Sequence, residues 1–369
     1  MSYVTIREVA ERAGVSATTV SQILHGKGRF SPKTRESVLG IVEKMGYIPD
    51  SRARAIRSGQ AKAIGLLVPD LRNSYFADMV ASMEEELYGR GYATLIGSFG
   101  EDLARQDSFL HNILGQRIDG AIVVPKGVDS PGMTAMVKRK LPLVFVDRRV
   151  PGTPSIPYIV SDPIQGIQQA LDALISLGHR RIGFVSHTSL CSSTLQERET
   201  VFKTLVSGLP DADAFPVVDC ANDYESHSRG LDYLLRQGVT AIVFGYSPDA
   251  ISMVGILQER NLLIGSDISV VSFDDIAAFR LMTPSISVIS QQADEMGRRG
   301  VEEVLDLIGD TGGDAGRDSA ANATGDAQKD NSGSESGSAT LRGDRVEDRR
   351  MVRIPTVFIP RGSLHQVHH

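Results

Sequence analysis

The chain is poor in the residues that cross-link, anchor or catalyse. Only two cysteines, Cys191 and Cys220, occur in 369 residues. Their spacing makes neither a metal site nor a disulfide framework, so both are expected to be reduced packing residues. No apolar run approaches the roughly 18 residues that a membrane-spanning helix needs. The opening "MSYVTIREVAER" lacks the apolar segment of a signal peptide, so a soluble, cytoplasmic protein with no membrane partner is expected. No nucleophile stands with a base and an orienting group, so the chain is not read as an enzyme, and neither catalytic residues nor a cofactor are expected. "HGKGRF" has two glycines and a lysine but neither Walker spacing nor a preceding strand, and reads as a loop between helices. The terminal "HQVHH" reads as a frayed tail, with no metal assigned to it. Asp274 and Asp275 follow an apolar strand; adjacent side chains diverge there, which argues against a proton-sharing dyad.

What the first 60 residues do have is helix punctuation. In "TIREVAERAG", Thr5 and Glu8 have capping-box spacing and Ile6, Val9, Ala10 and Ala13 fall at helical intervals. Gly14 can end that helix in a left-handed conformation, and Ser16 can cap a second one after a short turn. This is a helix-turn-helix pattern. In the second helix Val20, Ile23 and Leu24 point inward, which leaves Ala17, Thr18, Ser21 and Gln22 as a short polar outer face suited to a DNA groove. A third helix follows Ser31, with Pro32 in its first position and Val38, Ile41, Val42 and Met45 on its buried stripe.

Charge supports the same reading. The first 60 residues hold ten Lys and Arg against five acids, a net +5, whereas the whole chain has 39 basic and 45 acidic residues. Everything beyond residue 60 therefore carries 29 against 40, or −11. A basic head on an acidic body fits one part aimed at phosphates and another that is not. In "YIPDSRARAIRSGQ", Pro49 breaks the chain, and the cationic run from Ser51 to Ser58 is too short to be a stable helix alone.

From Ala61 the texture changes to short apolar runs ("AIGLLVP", "GAIVVP", "LPLVFVD", "RRIGFVS", "TAIVFGY", "DISVVSFDD") separated by amphipathic helices. That alternation predicts an α/β body of doubly wound parallel sheets in two lobes. Residues 309–347 are rich in Gly, Ser, Asp and Ala with almost no large apolar side chain, and read as a disordered insertion.

These stretches together resemble bacterial transcription regulators of the lactose/galactose repressor (LacI/GalR) family. The carriers include "TIREVAERAGVSATTVSQIL", "SPKTRESVLGIVEKMGYIPDSRARAIRSG", "IGLLVPDLRNSYFADMV", "LGHRRIGFVS" and "RIPTVFIPRGS". The resemblance implies a helix-turn-helix headpiece over residues 1–48, a hinge at 49–60, and a two-lobed body like periplasmic sugar-binding proteins. One lobe is placed at 61–161 with 291–308, the other at 162–290 with 350–363, and the tail at 364–369. It implies a homodimer that binds a palindromic double-stranded DNA operator and answers to a small effector.

Carried over position by position, the headpiece contacts to DNA are Thr5, Ser16, Ala17, Thr18, Ser21, Gln22 and Arg29. In the hinge they are Arg52, Ala53 and Ile56, the last being the apolar wedge between central base pairs. The effector set is Asn73, Tyr75, Asp147, Arg198, Asn222, Tyr246, Asp274 and Gln291. Three departures stand out: the family often has Arg at the place of Gln22, an Asn-Asp pair at Tyr246-Ser247, and a stacking aromatic at Asn222. The hydroxyl-binding character of Asp147, Asp274 and Arg198 points to a monosaccharide or nucleoside, ribose-like first. Two other readings compete: a sugar-binding protein with an incidental head, and a regulator controlled by a protein partner.

Overall fold

Thr5 caps helix α1 (Ile6–Ala13) through the predicted box: its Oγ1 accepts from the Glu8 N–H at 3.4 Å, and the Glu8 carboxylate accepts from the Thr5 N–H at 2.7 Å. Gly14 closes the helix at φ 63°, Ser16 accepts from the Thr19 N–H to start α2 (Ala17–Leu24), and Ser31 with Pro32 opens α3 (Pro32–Met45). Val9, Ala10, Val20, Ile23 and Val38 bury a small core between the three helices. Residues Met1–Ala61 form one compact unit and Lys62–His369 a second. The structure, a computed structural model, describes residues 4–48, 60–187, 190, 192–209, 214–321 and 351–367, with side chains outside 310–321. The hinge positions Arg52, Ala53 and Ile56, and Cys191, lie outside the described residues.

The second unit holds two six-stranded sheets. In the first, all parallel, β1 (Ala63–Val68) has β2 (Ala93–Ser98) on one side and β3 (Gly120–Val123), β4 (Leu143–Val146) and β5 (Tyr158–Asp162) in succession on the other. In the second, β6 (Ile182–Ser186) lies between β7 (Val217–Asp219) and β8 (Ala241–Phe244), followed by β9 (Ser269–Phe273) and β10 (Ser287–Ser290). The helices between strands cover both faces, so the central strands are continuous apolar runs rather than alternating ones.

Two expectations are corrected here. The segment from residue 350 onward was assigned to the second lobe, but β11 (Met351–Pro355) pairs in parallel with β5 at the edge of the first sheet, and only β12 (Val357–Ile359) joins the second, antiparallel to β10. The chain therefore changes sheet three times: after Asp162, after Ser290 and after Pro355. The insertion was expected to begin at residue 309, yet the helix α12 that starts at Ala293 runs to Ala321. Its anchored first half, with Val301 and Val304 fully buried, supplies the nucleus, and adding turns to an existing helix costs far less than starting one. The remainder of the insertion, 322–347, lies outside the described residues.

Two of the three crossings, those after Asp162 and after Pro355, are tied together. Thr356 Oγ1 donates to the Asp162 carbonyl at 2.8 Å and accepts from the Gly166 N–H at 3.0 Å. A Cβ on Gly166 would come within 2.5 Å of that same oxygen, so only glycine lets the chains approach this closely. The C-terminal segment is packed, not frayed as expected: the His365 N–H donates to Ser269 Oγ at 3.0 Å and the Val367 N–H to the Leu177 carbonyl at 2.8 Å. Cys220 is buried, and burial pushes its thiol up to about 12, as befits an inert packing residue.

Candidate functional site

On the head, α2 presents the face expected of it. Thr18 and Gln22 are exposed, Ala17 and Ser21 half-buried, and Val20 and Ile23 point into the core behind them. Thr5 and Ser16 are exposed capping residues, and Arg29 is exposed in the loop before α3. The structure thus brings the headpiece candidates to the ends and outer face of two adjacent helices.

In the body, the candidate site lies where the C-terminal ends of the two sheets meet. Asp147 and Asp274 are each the residue just after a strand, and both adopt left-handed backbone, φ 63° and 71°. Aspartate tolerates that conformation better than most residues, and it turns each carboxylate off its strand into the interior. Both are buried, at 3% and 2% exposed. Asp147 Oδ1 accepts from the Tyr75 hydroxyl at 3.1 Å. Asp274 accepts from Ser247 Oγ at 2.5 Å through one oxygen and from Gln291 Nε2 at 2.6 Å through the other. Gln291 Oε1 in turn accepts from Ser161 Oγ at 2.7 Å, so this chain of polar groups crosses from one sheet to the other. Asp275 turns away to Arg361 and Arg280, as adjacent side chains must.

Burial is the largest influence on the Asp147 carboxyl and raises its pKa; Asp274 raises it further, while Arg148 and Arg198 pull it down. Burial likewise drives the Tyr75 phenol well above its ordinary value, with Asp147 and Asp274 adding to the effect. Tyr246 is pushed up to about 12, chiefly by burial. Both phenols therefore stay protonated donors. Arg198 donates from Nη1 to the Gly245 carbonyl at 2.6 Å and lies over the Phe273 ring, 4.3 Å from its centroid. Asn73 caps α4 (Ser74–Gly89) by accepting from the Tyr75 N–H at 3.1 Å.

Four buried side-chain polar atoms among the described residues lack a hydrogen-bond partner: Asn73 Nδ2, Arg148 Nε, His187 Nε2 and Arg198 Nε. Buried polar atoms are paired as a rule, so these four exceptions stand out. Two of these residues follow strands of the first sheet and two follow β6 of the second. Tyr75, Asp274 and Gln291 also line a cavity of about 800 Å3 that opens past Asp78, Asp275 and Arg280.

Seven of the eight effector candidates are thereby placed at or beside this junction. Asn222 is the exception: it is exposed and lines a separate cavity of about 250 Å3 with Tyr224 and Ser252. Sequence reasoning missed Arg148, Ser161 and His187, and noted Ser247 only as a departure from the family's pattern. Arg148 is the neighbour of a flagged aspartate and pairs with Glu101 at 2.8 Å; His187 ends an apolar strand, a signal no motif carries. No metal-binding group of His, Cys, Asp or Glu and no helix long and apolar enough to cross a membrane occurs among the described residues.

A family profile described as bacterial regulatory proteins of the lacI family matches residues 5–50, and one described as periplasmic binding proteins and sugar binding domain of the LacI family matches residues 61–329. The chain is 28% identical to catabolite control protein A of Priestia megaterium over 80% of its own length and 89% of that protein's. It is 30% identical to the ribose operon repressor of Haemophilus influenzae, covering 82% of this chain and 92% of that one. The fold is also that of the lac repressor dimer bound to operator and an anti-inducer: TM-score 0.74 at 21% identity, covering 99% of this chain and 100% of the other.

Proposed function

We infer the function from the premise that the chain belongs to the LacI family of bacterial regulatory proteins. It is a DNA-binding transcriptional repressor controlled by a small-molecule effector. Our finer reading is a homodimer on a palindromic operator. In the head, Ala17, Thr18 and Gln22 read bases while Thr5, Ser16, Ser21 and Arg29 hold the backbone; in the hinge, Arg52, Ala53 and Ile56 engage the minor groove.

The effector we propose is a neutral monosaccharide or nucleoside, with ribose-like ligands first, and the regulated genes serve the use of that compound. The observation that carries this is that three buried polar atoms without a partner, Asn73 Nδ2, His187 Nε2 and Arg198 Nε, belong to residues beside the junction that holds Asp147 and Asp274, where Arg148 Nε has only an ion pair at 3.6 Å to Asp147 Oδ2. Carboxylates accept from hydroxyls, guanidinium groups donate to ring oxygens, and Tyr75 adds a flat apolar face. Asn73, Tyr75, Asp147, Arg198, Tyr246, Asp274 and Gln291 form the proposed contact set, and Asn222 leaves it. The relative named for ribose supports the choice of class. Binding of the effector shifts the population between lobe arrangements that do and do not support operator binding.

The test is operator binding by fluorescence anisotropy in the presence of pentoses, hexoses and nucleosides, with isothermal titration for direct affinity. One neutral compound is expected to bind and to change operator affinity. If none does so at millimolar concentration, this effector class is wrong.

A further inference from the structure

His187, Asp249 and His227 form a buried cluster behind the junction, at 2%, 0% and 1% exposed. They come from three separate units of the second sheet: the residue just after β6, the first turn of α10 (Ser247–Glu259), and α9 (Tyr224–Arg236). His187 Nδ1 lies 3.0 Å from both Asp249 oxygens, and His227 Nε2 lies 2.8 Å from Oδ1. Asp249 sits in the first turn of its helix. An ionised carboxylate only accepts, so both ring nitrogens facing it carry hydrogen. The remaining nitrogen of His187, Nε2, is buried and has no partner. The ring also meets that of Tyr246, 5.2 Å away between centroids, and Tyr246 is in turn close enough to Arg148 and Asp274 to feel their charges.

We propose that His187 is a specificity-determining residue of the effector site, held by Asp249 and His227 as the neutral tautomer with its hydrogen on Nδ1, so that Nε2 offers a lone pair to a hydroxyl or N–H of the ligand. With the Nδ1 hydrogen given to Asp249, Nε2 is left as a buried acceptor that a ligand donor would satisfy. The second imidazole on Asp249 fixes the carboxylate, and the carboxylate fixes the ring, in the way outer partners orient a metal-bound histidine. His187 thus adds an acceptor to Asp147 and Asp274, which selects a ligand rich in donors and disfavours a phosphate or carboxylate at that point. Asp249 and His227 are positioning residues that act through His187.

This inference rests on the small-molecule reading of the junction, and its test separates the two. In the ligand-free full chain, nitrogen-15 NMR of the histidine rings at pH 7.5 is expected to show His187 neutral with hydrogen on Nδ1, the signal being assigned by its loss in His187→Phe. Hydrogen on Nε2, or a charged ring, overturns the proposal whatever the ligand. Titration with D-ribose, D-xylose, D-glucose and D-galactose is expected to give a binder whose affinity falls about tenfold or more in His187→Phe, the loss of one buried hydrogen bond. Asp249→Asn, which frees the ring to take the other tautomer, is expected to weaken the same sugar comparably. Wild-type affinity in His187→Phe overturns the proposal, as does tighter binding of ribose 5-phosphate that fades from pH 6 to 8. If no sugar binds the wild type, the carbohydrate reading fails, while the ring measurement still decides what His187 presents.

Discussion

Gln291 donates its Nε2 hydrogen to Asp274 Oδ1 across 2.6 Å, and this bond joins a residue at one of the three sheet crossings to the carboxylate at the end of β9. Because Gln291 also accepts from Ser161 of β5, its amide is shared by both sheets. Any ligand hydroxyl that competes for Asp274 will therefore disturb a contact that spans the crossing. Gln291→Leu leaves Asp274 and Ser161 each short of a buried partner, at a cost of about 1–3 kcal/mol per group. The expected outcome is a lower melting temperature and a smaller effector-induced change in operator affinity, while DNA binding without effector stays near wild type. A variant with wild-type stability and full response would show that this bridge is not part of the coupling.

Gln22 stands exposed one helical turn from Thr18, on the outer face of α2. A glutamine amide pairs in bidentate fashion with adenine, whereas an arginine guanidinium prefers guanine. Gln22→Arg should accordingly move the preferred base toward G at one symmetric position of each half-site. Selection from randomised operators checks this, and an unchanged preference would remove Gln22 from the base-reading set.

How much of this was legible beforehand depends on the range of the information. The head was legible almost residue by residue, because caps, left-handed glycines and apolar spacing act within four or five positions: Thr5, Gly14, Ser16 and Pro32 all stand where their chemistry placed them. Strand texture gave the α/β body but not strand order, since nothing local tells Met351–Pro355 to pair with β5 and not with β10. The aspartates were found through resemblance. Residues 187, 227 and 249 sit in different strand-helix units, so their meeting is a product of the sheet and has no signature in any one stretch.

Ile56 carries the hinge prediction on chemistry alone: an isoleucine among Arg52, Arg54 and Arg57 is the only large apolar side chain from residue 51 to 58. Ile56→Ala should weaken specific operator binding by about 1–3 kcal/mol, while binding to random DNA, which rests on phosphate contacts, holds. Equal loss on both DNAs would contradict a wedge.

The insertion offers a control on stability. With the helix ending at Ala321 and β11 starting at Met351, replacing residues 322–345 by a short Gly-Ser linker only changes the length of a connection. Loop-closure entropy varies slowly with length, so melting temperature and operator affinity should barely move. Loss of folding would mean that the segment contributes packing.

Asp147 gives the pH prediction, and its sign follows from the direction of its shift. Burial raises the folded-state pKa above the ordinary carboxylate value, so between the two the folded protein holds a proton that the unfolded chain has released. Stability from this group is therefore present at low pH and is lost as pH climbs from about 4 through the raised value. Above that window the fold carries a buried carboxylate that only the Tyr75 hydroxyl and the nearby guanidinium groups compensate. Asp147→Asn removes the titration, so its melting temperature should gain on the wild type as pH rises from about 4 through the raised value, and then run parallel. The same change should weaken a hydroxyl-bearing effector, because the amide replaces one acceptor oxygen with a donor. Thermal melts of both proteins across that range, each with and without the effector, test the two halves together. A constant gap at every pH would mean that Asp147 does not titrate as its burial requires, and unchanged effector affinity would place the ligand elsewhere.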